Sequence, residues 1–181
     1  MEGPIIRLMK AVEAETVAEL LVRANEEHLS RFPPAVASAY RTEITRVAHR
    51  LSFADVYVAE LGGRLVGSVT YLADAADDGH PWPAGGAVLR LLAVDAPGRR
   101  RGVGERLTTT CIERARRTAL FLGLHTAPQM AAARRIYERL GFERAPEHDF
   151  DPAAHYGGVD GDGHPWGLAY VLRFDDQRWR S

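Results

Sequence analysis

The stretch Leu91-Leu92-Ala93-Val94-Asp95-Ala96-Pro97-Gly98-Arg99-Arg100-Arg101-Gly102-Val103-Gly104 decides how this chain is read. Residues 87–94 are almost continuously apolar, the pattern of a strand buried on both faces. The strand enters a turn rich in arginine and glycine. Apolar residues then fall at Val103, Leu107, Cys111 and Ala115, one face of a helix over 102–118. The amides that open a helix lack internal partners and point outward, which suits a phosphate oxygen. Gly102 and Gly104 allow a ligand close to the backbone, and the neighbouring arginines add charge-assisted contacts. The turn is not a P-loop, because Gly-x-x-x-x-Gly-Lys-Ser/Thr is absent. Nor is it a dinucleotide fingerprint, since position 107 is leucine where a third glycine would stand.

The charge pattern points the same way. The 181 residues carry 23 basic and 24 acidic side chains, a net charge of −1 that argues against a general nucleic-acid or membrane binder. Yet residues 98–144 hold eleven arginines against four glutamates, a local balance of +7. Such clustering on an otherwise acidic chain suggests a polyanionic ligand held in one place. Lys10 is the only lysine, so a preference for arginine explains the residue chosen but not the clustering.

Composition and length fit one globular domain over residues 1–181, with 46% hydrophobic and 26% charged content. The lone Cys111 rules out a disulfide framework and a cysteine-rich zinc module. No apolar run approaches the roughly 20 residues of a membrane span. Without a signal-like N-terminal segment, the expectation is a cytoplasmic protein. Strands are expected at 4–8, 56–61, 65–72, 87–94, 120–124, 142–145 and 168–174. Helices are expected at 13–29, 34–51, 102–118 and 131–140, the last stopped by Gly141. That order is a single α/β (α+β) domain with no dividing linker.

A second signature lies downstream: Ala133-Arg134-Arg135-Ile136-Tyr137-Glu138-Arg139-Leu140-Gly141-Phe142. Together the two stretches resemble the Gcn5-related N-acetyltransferase (GNAT) superfamily, and the element order matches over nearly the whole chain. The resemblance implies a mixed central sheet of about seven strands flanked by four helices. It also implies acetyl-CoA as co-substrate. By that likeness, backbone groups of Leu92, Ala93 and Val94 would hold the pantetheine and acetyl carbonyl. The pyrophosphate would lie on the amides of Arg100, Arg101, Gly102, Val103, Gly104 and Glu105, with Arg99 opening the motif. Tyr137 would protonate the departing thiolate; as a bland alternative it is a core tyrosine of an amphipathic helix.

The departures from the family pattern bear on the acceptor. Met130 stands where many members carry asparagine, and Val88 where many carry an acid on the strand. His125 occupies the position of a catalytic glutamate in the ribosomal-protein alanine acetyltransferases. An imidazole there can take a proton from an ammonium acceptor, or it can be structural. Glu60, Glu27 and a water relay are the other candidates. In the resembled fold the acceptor is lined by the connection between the first two helices, here Glu26, Glu27, His28 and Phe32. It is also lined by the loop before the last strand, here His164 and Trp166. Asp-Gly-His-Pro-Trp occurs at 78–82 and again at 162–166. The first copy is expected at the far end of the sheet, with His80 and Trp82 covering apolar surface.

Asp149, Asp151, Asp160 and Asp162 lack the spacing of a calcium loop, and no metal is expected. Cys111 reads as core. The expected partner is a small-molecule or peptide amine, and homodimers are common in the resembled family. Two other readings are compatible with these residues: a CoA-binding sensor without turnover, and an enzyme for a longer acyl-CoA.

Overall fold

A computed structural model describes residues 3–32, 34–151 and 167–174. Among these residues seven strands form one sheet: β1 (Ile5–Leu8), β2 (Asp55–Leu61), β3 (Arg64–Leu72), β4 (Gly86–Val94), β5 (Phe121–Thr126), β6 (Glu143–Arg144) and β7 (Leu168–Arg173). Their spatial order is β1-β2-β3-β4-β5-β7-β6, antiparallel throughout except for β4 beside β5. Among the described residues five helices cover it: α1 (Ala14–Leu29), α2 (Pro34–Thr45), α3 (Val47–Arg50), α4 (Val103–Ala115) and α5 (Ala131–Arg139). The extra helix arises because the run expected as one helix over 34–51 breaks at Arg46, whose ψ of 46° leaves the helical region. No helix among the described residues is long and apolar enough to cross a membrane.

Alternation along β2 shows how the sheet is sandwiched. Val56 and Val58 face α1 and α2 with Leu20, Leu21 and Ile44. Ala59 faces the opposite side, where Leu107 and Cys111 of α4 pack with Val69, Leu122 and Leu124. Period-2 alternation puts each set on one face, and both faces are buried.

β4 breaks that rule once, and the break makes the site. Ala87 and Leu89 lie in the cluster on the α4 side, and without interruption Leu91 and Ala93 would follow them. Instead Leu91 and Ala93 pack against the α1 side, while Leu92 and Val94 join the α4 side. The cause is a bulge: Leu91 has φ +54°, and the register against β3 shifts between Ser68 and Thr70. One extra residue exchanges the faces of everything after it. The bulged strand also parts from β5. Their parallel pairing runs only from Gly86↔Phe121 to Val88↔Gly123, although β4 continues to Val94 and β5 to Thr126. Each keeps its outer neighbour, β3 or β7, so a split opens inside an otherwise continuous sheet.

Candidate active site

The phosphate-binding turn lies beyond the C-terminal end of β4. The Asp95 amide donates to the Val66 carbonyl at 2.9 Å and anchors the turn to β3. Arg100 and Gly102 both take positive φ, +61° and +73°, which folds the chain back into the start of α4. Gly102 is the residue this demands, since a side chain is strained there even though nothing crowds the position. The first i→i−4 bond of α4 runs from the Arg106 amide to the Gly102 carbonyl at 3.0 Å. The amides of Val103, Gly104 and Glu105 precede it and therefore lack helical partners. Arg99, Arg100 and Arg101 are exposed around this helix start. Glu105 turns its carboxylate aside to Arg139.

On the same face, Tyr137 of α5 is buried with Leu92, Val94 and Ile136 in one cluster. Its ring centroid lies 5.8 Å from that of Phe142 and 6.4 Å from that of Tyr170. The Phe142 amide donates to the Tyr137 carbonyl at 3.0 Å and closes the helix end beside Gly141. Burial pushes the Tyr137 phenol well above the ordinary tyrosine value, so it is protonated at neutral pH.

On the opposite face of the split lies a cavity of about 110 Å³. Val88 and Leu91 of β4, Thr126 of β5, and Ala127 and Met130 beyond it form its apolar and small wall. From α1 and α2 come His28, Phe32 and Tyr40, and from the other side His80, His125 and Phe150. The His28 and Phe32 rings stand 4.6 Å apart, and each lies 5.8 Å from Tyr40, all edge to face. The Gln129 side-chain amide donates to His28 Nδ1 at 2.9 Å, which leaves the ring proton on Nε2. Burial lowers the pKa of His28 and raises that of Tyr40 to about 12, so both favour their neutral forms.

His125 sits at the end of β5 with Nε2 2.8 Å from the His148 carbonyl oxygen. A carbonyl only accepts, so Nε2 carries the proton and Nδ1 keeps its lone pair. Nδ1 lies 3.9 Å from Asp78 Oδ2. Burial is the largest influence on the ring and pulls its pKa down to about 4, against the opposing pull of the His148 carbonyl and Asp78. Asp78 is buried, accepts a 2.7 Å hydrogen bond from Trp82 Nε1, and lies 3.2 Å from Arg90 Nη1. Arg90 Nη2 donates to Glu43 of α2.

The expected acceptor residues are thus only partly gathered. His28 and Phe32 line the cavity. Glu27 instead points outward, 2.9 Å from Arg31, with its side chain 85% exposed. His164, Trp166 and the second Asp-Gly-His-Pro-Trp lie outside the described residues, as do Asp160 and Asp162. The first copy differs from expectation: Asp78 and His80 reach the cavity instead of the far end of the sheet. The 73–85 loop folds back along β5, where the Trp82 ring lies over Gly123; a Cβ on Gly123 would meet that ring at 3.0 Å. Arg90, Tyr40 and Phe150 were not among the expected site residues. A lone charge inside Ala87-Val88-Leu89-Arg90-Leu91-Leu92 was the available signal for Arg90.

Comparison with known proteins agrees with this architecture. No curated protein matches the chain. Among solved structures, the histone acetyltransferase HPA2 and related acetyltransferase from Corynebacterium glutamicum is 20% identical, with 96% of this chain and 98% of that one covered and a TM-score of 0.71. PaiA N-acetyltransferase from Thermoplasma acidophilum, solved with coenzyme A, is 12% identical, with 96% and 100% covered and a TM-score of 0.70. YncA from Salmonella typhimurium, solved with acetyl-CoA, is 16% identical, with 97% and 96% covered and a TM-score of 0.62. At these identities the likeness establishes the fold. The family is settled by the model of the acetyltransferase (GNAT) family, which matches residues 15–142 and so takes in the split, the helix start and Tyr137. The chain belongs to the acetyltransferase (GNAT) family.

Proposed function

We propose that the protein transfers the acetyl group of acetyl-CoA directly to the nitrogen of an amine, without a covalent enzyme intermediate. The observation that carries this reading is the split between β4 and β5. It has an anion-suited helix start on one face and an aromatic, partly charged cavity on the other. Acetyl-CoA supplies an activated thioester carbonyl.

The residues present fit that co-substrate. Beyond Val88 the backbone of β4 has no partner strand on its β5 side among the described residues. Leu92, Ala93 and Val94 would use this edge to hold the pantetheine and polarise the carbonyl. The amides from Arg100 to Glu105 would take the pyrophosphate, with Arg99, Arg100 and Arg101 neutralising its charge.

In the transfer, the amine nitrogen bonds to the carbonyl carbon, the C–S bond breaks, and one N–H proton must leave. His125 Nδ1, left with its lone pair by the Nε2 hydrogen bond, would take that proton, directly or through a water. Tyr137, protonated at neutral pH, returns a proton to the sulfur, a role typically worth ~10²–10⁴-fold. Its phenolate is costly in that burial, so it must be reprotonated before the next turnover. Cys111 is no alternative nucleophile, since burial pushes its thiol far above the ordinary value.

Thiol release from acetyl-CoA across a panel of amines, amino acids and peptides tests the reading, with acetyl-CoA binding by calorimetry on the same sample. Acceptor-dependent release with binding supports it. Binding without release on any acceptor points to a sensor or a longer acyl donor, and absence of binding overturns the reading of the turn.

A further inference from the structure

We infer that Asp78, His80 and His125 form a binding site for one divalent transition-metal ion of the zinc type. The site goes beyond acetyl transfer. Its ligands come from two segments whose spacing along the chain carries no metal motif, and the fold brings them together.

Three ligand atoms meet at one edge of the cavity. An Asp78 carboxylate oxygen and one ring nitrogen each from His80 and His125 all lie within 4.8 Å of one another. The two imidazole centroids stand 4.9 Å apart. Two imidazoles and a carboxylate suit zinc, copper or nickel better than magnesium or calcium, which prefer oxygen ligands throughout. With bonds of about 2.0–2.1 Å, ligand atoms around a tetrahedral zinc stand about 3.4 Å apart. His125 Nδ1 is 3.9 Å from Asp78 Oδ2, so a closure of about half an ångström completes that pair.

The supporting contacts are those of a ligating histidine. The Nε2 proton of His125 goes to the His148 carbonyl at 2.8 Å, which fixes the ring and turns the Nδ1 lone pair toward Asp78. Two acceptors then face each other, an arrangement that repels until a cation lies between them. Asp78 is buried and fixed in turn. Trp82 Nε1 donates to its Oδ2 at 2.7 Å, and Arg90 Nη1 lies 3.2 Å from its Oδ1. A carboxylate oxygen has two lone pairs, so Oδ2 can serve Trp82 and an ion together. Glu43 meets Arg90 from α2 and offsets its charge beside the ion. The loop that carries Asp78 and His80 is braced as well. The Trp82 amide donates to the His80 carbonyl at 2.8 Å, and the Trp82 ring lies over Gly123.

An ion at this site takes the His125 lone pair that the proposed transfer uses, so it inhibits that transfer. This consequence alone rests on the acetyl-transfer reading; metal binding needs neither acceptor nor co-substrate.

Titration of Co²⁺ into untagged, chelator-treated protein tests the site. We expect one equivalent bound, with the intense visible absorption of a four- or five-coordinate ion, displaced by Zn²⁺ and not by Mg²⁺. His80→Ala, at a half-buried loop position, should weaken Co²⁺ binding by about 100-fold, since even the partners behind a ligand are worth 10- to 100-fold. His49→Ala, on the exposed surface of α3, should leave binding unchanged. Absence of stoichiometric binding, or equal affinity in His80→Ala, overturns the inference and leaves acetyl transfer untouched. Formation of acetylated amine with and without one equivalent of Zn²⁺ separates the two readings. Binding with loss of transfer supports both, whereas binding with full transfer keeps the metal site and removes His125 as the base.

Discussion

The two faces of the β4–β5 split are built by different strategies. On the α4 face, the groups suited to a co-substrate come from one continuous stretch, Leu92 to Glu105, together with one helix that brings Tyr137. On the α1–α2 face, the cavity draws on α1, α2, the 73–85 loop, β4, β5 and the segment around Phe150. The first side relies on backbone amides and strand edges, which any sequence supplies once the turn is formed. The second relies on side chains that meet only after folding. A chain can therefore alter its acceptor by changing scattered side chains while the co-substrate side is held fixed by backbone geometry.

If the two sides are separable in this way, substitutions should divide cleanly between them. The largest effect is expected from Tyr137→Phe, which keeps the ring packing and removes the hydroxyl. Turnover should fall by ~10²–10⁴-fold, with acetyl-CoA affinity nearly unchanged by calorimetry. Parent-like turnover would return Tyr137 to the core. Next, Arg99→Ala combined with Arg101→Ala should weaken acetyl-CoA binding by about 10-fold or more, the loss of charge-assisted contacts. The acceptor preference should not move; if it does, the two faces are coupled.

Gly123→Ala probes the other side. The added methyl must displace the Trp82 ring and with it Asp78, for about 1–3 kcal/mol of stability. The acceptor KM should rise several-fold while acetyl-CoA affinity holds.

The smallest effect is a pH dependence. His125 faces Asp78, His80, His148 and Arg90, and its folded pKa of about 4 lies below the ordinary value of 6.5. The unfolded chain then binds more protons between these values, so stability rises with pH across that window. The contribution is fully present above about pH 6.5 and is lost as pH falls through 4. His125→Gln should flatten this part of a urea-midpoint series, and an undiminished slope would assign it to other groups. As the proton acceptor, His125 should also place its acidic limb of the rate profile near pH 4.

The same division explains what could be read from residue order. Apolar periodicity and glycine punctuation gave the seven strands and the α4 and α5 helices, since these are properties of neighbouring residues. The bulge at Leu91 left no such mark: no glycine or proline flags it, and its evidence is a change of faces visible only against β3. His125 and His28 are marked out only by the family resemblance, and the fold brings both to the cavity wall. Hairpin logic sends a β3–β4 loop away from the site, whereas Trp82 packing on Gly123 folds this one back over β5 and brings Asp78 and His80 to the cavity. Arg90 stands alone inside an apolar run, where a charge needs partners, and it finds them in two different segments, Glu43 and Asp78.

Cys111 has a practical consequence of its own. It is the chain's single sulfhydryl, fully enclosed between α4 and the sheet, with ionisation suppressed by its surroundings. A disulfide dye that reports free coenzyme A therefore meets a native enzyme with almost no background of its own. When the dye does react with the protein, the rate clocks how often the region between α4 and the sheet opens. One reagent thus reports catalysis over minutes and breathing over hours, in the same cuvette.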